Sequence, residues 1–250
     1  MNKQNPTEAI AENQWINQTA DSLLEENSYY EKMANPLKSA EQFKAEHRKH
    51  LQEFLQFKDF KEKMNQGVDV VLERLPQMIT ANEWTQFKED FARSIGRERH
   101  IASSFTEQIE QGQSTTFQNL MGISSHNMNH LYNLDRKLVE EKHFNQALAI
   151  FTMLTYLNPQ VPEYWIGQAI CLYSMAKYEE ALAILQLAKV LQPDKVAPFI
   201  YSAFCNFALY RPEGIQQDLD LVHQILQHSE TERAHWEEPY KVLKRKSNQL

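Results

Sequence analysis

Leu131, Trp165 and Phe199 stand 34 positions apart in the second half of this chain, as do Ala147 and Ala181, and Pro159 and Pro193. A period of that length repeats a pair of antiparallel helices, which cannot bury its apolar face alone and therefore stacks on its neighbours. The alanines fall where the two helices of a unit cross, and only a small side chain lets the backbones approach. The prolines end each second helix, because the ring cannot continue the hydrogen-bond ladder. Leu138 and Leu172 close the first helices, Phe144 and Tyr178 open the second ones, and Phe151, Leu185 and Leu219 continue the apolar seam. The third unit departs from the pattern. Ile215 replaces the small residue, Gly214 precedes it, and no proline follows, so its register is open to a slip of one or two residues near Arg211 to Gly214.

A period of 34 is the tetratricopeptide spacing. Six glycines in 250 residues leave few sites for hairpin turns, while 42% hydrophobic content suffices for a packed core. The expected fold class is all-α: a tetratricopeptide-repeat helical solenoid preceded by an additional N-terminal helical domain. The expected boundaries are an N-terminal domain at 1–112, a linker at 113–123, three repeats at 124–228 and a C-terminal capping helix at 229–250. The basic end of that last helix, Lys241, Lys244, Arg245 and Lys246, suits its C-terminal dipole.

The N-terminal region has a different character. Residues 7–33 read as one helix with Trp15, Leu23, Leu24 and Tyr30 on an acidic background, closed by Asn35-Pro36. Phe43, His47, Leu51, Phe54 and Phe57 recur at helical steps, and Gly67 is expected to stop that helix. A short apolar helix, Val68 to Leu75, follows. Asn82 is expected to cap a long helix carrying Trp84, Phe87, Phe91 and Ile95, with Ile101, Phe105 and Ile109 beyond it. Gln111 to Thr116 has linker composition. The aromatic stripes read as packing.

The net charge of −7 argues against a nucleic-acid partner, which would need a basic stripe to neutralise phosphates. No apolar run reaches about 18 residues, so no direct membrane insertion is expected. The opening residues lack an apolar secretory core, which points to the cytoplasm. No GxSxG elbow, phosphate-cradling loop or paired hydrolase motif occurs, so no catalytic residue and no cofactor is assigned. Cys171 and Cys205 share a register position and read as buried reduced thiols. His126 and His130 share a helix face but have no carboxylate in an HExxH arrangement, and no metal site is assigned.

In stacked pairs the first helices face the concavity. Positions not consumed by the seams are Asn129, Tyr132, Asn133, Arg136 and Val139 in the first unit, and Ile166, Gly167, Ile170 and Tyr173 in the second. Ile200, Tyr201 and Phe204 follow in the third. These twelve form the expected peptide-binding wall, apolar and aromatic with one arginine. Gly167 would let a peptide backbone come close.

The run GISSHNMNHLYNLDRKLVEEKHFNQALAIF, residues 122–151, and YWIGQAICLYSMAKYEEAL, residues 164–182, resemble the translocator chaperones of type III secretion systems. In that family an I-S-S element leads into a helix with L-Y-x-L, and a second repeat ends in M-x-x-Y-x-x-A. The resemblance implies a cytoplasmic chaperone holding an extended segment of a hydrophobic secreted translocator in its repeat groove. It also implies a homodimer through the N-terminal arm as one arrangement of the partners. The alternative is a general tetratricopeptide adaptor. That class needs a Lys and Asn clamp for carboxylates, whereas the wall here offers one arginine.

Overall fold

The structure, a computed structural model, describes residues 6–24, 30, 39–54, 60–96 and 116–249. Every regular element among them is helical. The N-terminal region holds α1 (Pro6–Leu24), α2 (Ala40–Phe54), α3 (Phe60–Arg74), a 3-10 turn (Leu75–Gln77) and α4 (Ala81–Gly96). A short α5 (Phe117–Met121) leads into three pairs: α6 (Ser125–Glu140) with α7 (Phe144–Leu157), α8 (Pro162–Ser174) with α9 (Tyr178–Leu191), and α10 (Val196–Ala208) with α11 (Pro212–His228). A last helix, α12 (Glu230–Ser247), follows.

The turn inside each pair is the same backbone object three times. Lys142, Ala176 and Tyr210, each 34 positions from the next, adopt left-handed φ angles of 62°, 58° and 56°. The following amide then donates back across the helix end: His143 N to Leu138 O at 2.8 Å, Lys177 N to Leu172 O at 2.9 Å, and Arg211 N to Asn206 O at 2.9 Å. This is the Schellman closure, here built without glycine. The expected slip near Arg211 does not occur, because α11 starts at Pro212, 34 positions after Tyr178. The third repeat is degenerate in its side chains and regular in its backbone. Ile215 is as buried, at 1%, as Ala147 and Ala181 are at 0%.

The chain divides into two compact units, one drawn from residues 1–25 and 48–164, the other from 26–47 and 165–250. In the first unit α3 packs along α7. Gly67 does not stop a helix. It sits inside α3 at that crossing, where a Cβ would come within 2.8 Å of Met153 Cβ and 3.2 Å of the Ala149 carbonyl oxygen. Glycine is therefore present for close approach, not for chain termination. With α3 on one side and α6 on another, α7 buries every residue from Ile150 to Leu157. The cap of α4 is Thr80, two residues before the expected Asn82. The Glu83 N–H donates to Thr80 Oγ1 at 3.3 Å, and the Thr80 N–H donates to the Glu83 carboxylate at 2.8 Å, a reciprocal capping box. Along α4, Trp84 and Phe87 stack at 5.7 Å and Phe87 and Phe91 at 5.3 Å. The first helix is described over Pro6–Leu24; of the rest of its expected span to 33, only Tyr30, itself helical, is among the described residues. Asn35-Pro36, Phe57, Ile101, Phe105 and Ile109 and most of the linker-like 111–116 lie outside the described residues, as do the side chains of Trp15, Phe54 and Ile95.

In the second unit α12 packs on α11 and α10. It begins 34 positions after Val196, so it holds the place of a fourth first-helix. Its cap is Ser229, which accepts from Glu232 N at 3.3 Å. A polar group is buried among α9, α10 and α11. Lys189 Nζ donates to Asp218 Oδ1 at 2.5 Å and to Ser202 Oγ at 2.9 Å, and Asn206 Nδ2 donates to Asp218 Oδ2 at 3.3 Å. Asn206 stands where the first two repeats carry Leu138 and Leu172. Gly214 makes room for it, since a Cβ there would meet the carboxamide nitrogen at 2.7 Å.

Candidate functional site

The expected wall residues are placed by the first helix of each pair. In the first unit α6 carries Asn129, Asn133 and Arg136, all exposed, with Tyr132 and Val139 half-buried. The Tyr132 ring packs 5.8 Å from Tyr164 and 6.3 Å from Phe151. Burial pushes both phenols up, Tyr164 to about 12, so both rings are uncharged at neutral pH, with Glu163 and Arg136 acting on them from nearby.

In the second unit Ile166, Ile170 and Tyr173 on α8 are half-buried, and Gly167 is buried. On α10, Tyr201 and Phe204 are half-buried. Ile200 is different. It is 0% exposed and belongs to the core, so it cannot touch a ligand in this state. The 34-residue register places it with Tyr132 and Ile166, which keep exposed surface. Register alone therefore does not report how deeply each helix is covered.

Four elements of the second unit bring their aromatic rings together. Tyr173 lies 6.3 Å from Tyr201, 6.2 Å from Phe204 and 5.6 Å from Tyr178, and Tyr201 lies 6.1 Å from Trp236 of α12. Burial raises the phenols of Tyr173 and Tyr201. The result is a neutral aromatic face with hydroxyl edges, suited to aliphatic or proline side chains and to few charges. Sequence reasoning missed Trp236 because α12 was assigned only a capping role. Its start on the 34-residue register was the available signal.

These helix pairs define the class: an all-α protein of the tetratricopeptide-repeat kind. No protein-family model matches the chain, and no curated protein matches it. Solved structures do. A T3SS complex from Aeromonas hydrophila superposes with a TM-score of 0.52 at 15% identity, covering 58% of this chain and 98% of that one. The type III secretion translocator chaperone SycD from Yersinia enterocolitica superposes with a TM-score of 0.50 at 17% identity, covering 55% of this chain and 100% of that one. A little over half of this chain thus has the fold of a translocator chaperone.

Proposed function

We propose that this protein is a cytoplasmic chaperone of a type III secretion system, holding an extended segment of a hydrophobic secreted translocator against its first-helix faces. One observation carries the reading: on a fold shared with SycD, the Tyr173, Tyr201, Phe204 and Trp236 rings gather into an uncharged, partly exposed face. The I-S-S and L-Y-x-L elements at residues 123–134 support it from the sequence side. Among the described residues no helix is long and apolar enough to cross a membrane, so the membrane-active partner would be the client. Burying one aliphatic anchor is worth about 1.5–3 kcal/mol, and ordering the peptide costs several kcal/mol, so three anchors alone give roughly millimolar affinity and tight holding needs further contacts.

The test is calorimetric titration of a peptide with three spaced aliphatic anchors into the full chain and into Ile170→Glu. Ile170 is half-buried, so this change should weaken binding about tenfold or more while the melting temperature holds. Ala181→Leu, at a 0% exposed crossing, should instead destabilise the fold by about 1–3 kcal/mol. The wild-type heat-capacity change on binding should be negative. Unchanged affinity in Ile170→Glu removes this face from the site.

A further inference from the structure

The first turns of α6 carry a feature that client binding does not use. His126 and His130 lie one helical turn apart, and their Nε2 atoms face each other at 3.0 Å with the rings edge to face at 4.4 Å. Two nitrogens 3.0 Å apart, each bonded to one metal at about 2.0–2.1 Å, subtend about 91–97° at the ion. A tetrahedral zinc angle would require a separation of about 3.3–3.4 Å. Near-right angles belong to the tetragonal and octahedral coordination of copper(II) and nickel(II).

We infer that His126 and His130 form a two-imidazole site for a divalent transition-metal ion of the copper(II) or nickel(II) class. The hydrogen bond between the two Nε2 atoms requires a proton on one of them; once that ring carries its proton on Nδ1 instead, both Nε2 lone pairs are free for one ion, which replaces the hydrogen bond. The surroundings suit a cation. Glu83 of α4 exerts its field on both rings while its carboxylate is held by Thr80, so it contributes charge and not a bond. Asp90 of α4 accepts from Asn127 Nδ2 at 3.3 Å, which fixes α4 beside this turn. Among the described residues no set of three His, Cys, Asp or Glu side chains converges on one point, so water fills the remaining positions.

The full chain, titrated calorimetrically with copper(II), nickel(II) and zinc(II) salts in a non-chelating buffer, decides this. The expected result is one equivalent of copper or nickel bound, with nickel held more tightly than zinc. His126→Ala and His130→Ala should each weaken nickel binding by at least about tenfold, since losing even an outer partner of a ligand costs that much. Electron paramagnetic resonance of the copper form should show two equatorial nitrogens in the wild type and one in either variant. His126 is exposed, so its variant carries the test should His130→Ala unfold. His50→Ala and His235→Ala should change nothing. Nickel affinity unchanged in both site variants, zinc bound more tightly than nickel, or an unaltered nitrogen count overturns the assignment.

Discussion

Asp218 and Asp135 are carboxylates buried in helices of one repeat array, and the two are held in opposite ways. Asp218, in the second unit, is engaged by Lys189 and Asn206, while Ser202 takes a further lysine proton. Asp135, in the first unit, is 0% exposed, and neither of its oxygens has a hydrogen-bond partner among the described residues. Its register partners in the next two repeats are Ala169 and Ala203, both 0% exposed. A satisfied polar network can fix how helices sit against one another, whereas an isolated buried carboxylate costs stability and stays uncharged where it can. Burial alone pushes the Asp135 carboxyl well above its usual range. The paired aspartate thus belongs to the packing of the third repeat, and the unpaired one is a stored penalty in the first.

Three measurements break or sharpen that contrast. Asp218→Ala strands the Lys189 ammonium in the core and should cost about 3–5 kcal/mol in urea unfolding. Lys189→Met combined with Asp218→Leu should recover most of that loss, and a double variant as unstable as the single would show that the network is not the cause. Asp135→Ala should act in the other direction, stabilising the chain by about 1–3 kcal/mol at neutral pH because an unpaired polar group leaves the interior. The pH dependence follows from the direction of the shift. A carboxyl whose folded-state pKa is raised imposes its full penalty above that value and none below the unfolded value of about 3.9, so the gain should shrink as pH falls. A gain independent of pH would mean that packing alone separates Asp135 from alanine. The smallest effect concerns the backbone that both units share. Tyr210 is 77% exposed at a φ of 56°, so Tyr210→Gly should relieve left-handed strain and add about 0.5–1 kcal/mol, read as a small rise in melting temperature.

The helix pairs were legible because a 34-residue period samples apolar side chains, and those side chains make the seams. The same signal hides what is not apolar. Nothing in the spacing of Lys189 marks it as a core residue, and only the fold brings it to Asp218, 29 positions on. Gly67 shows a second limit. Glycine interrupts helical propensity, so a linear reading stops the helix there, yet the crossing with α7 requires a residue without a Cβ. Of the wall, Tyr173, Tyr201 and Phe204 come together as their spacing implies. Ile200 does not, because exposure depends on how much of each helix its neighbours cover, which spacing does not encode.

The close seating of α3 on α7 also decides where this chain can be cut. Dissection at the start of the repeats would strip a helix from a partner whose residues Ile150 to Leu157 are all buried, exposing Met153 and its neighbours to water. A fragment beginning at Thr116 should therefore precipitate or be digested quickly, whereas one beginning at Phe60 keeps its own outer wall. For anyone trimming the protein for crystals or for binding assays, the serviceable edge lies 65 residues ahead of the first repeat's opening helix, at Phe60 rather than Ser125.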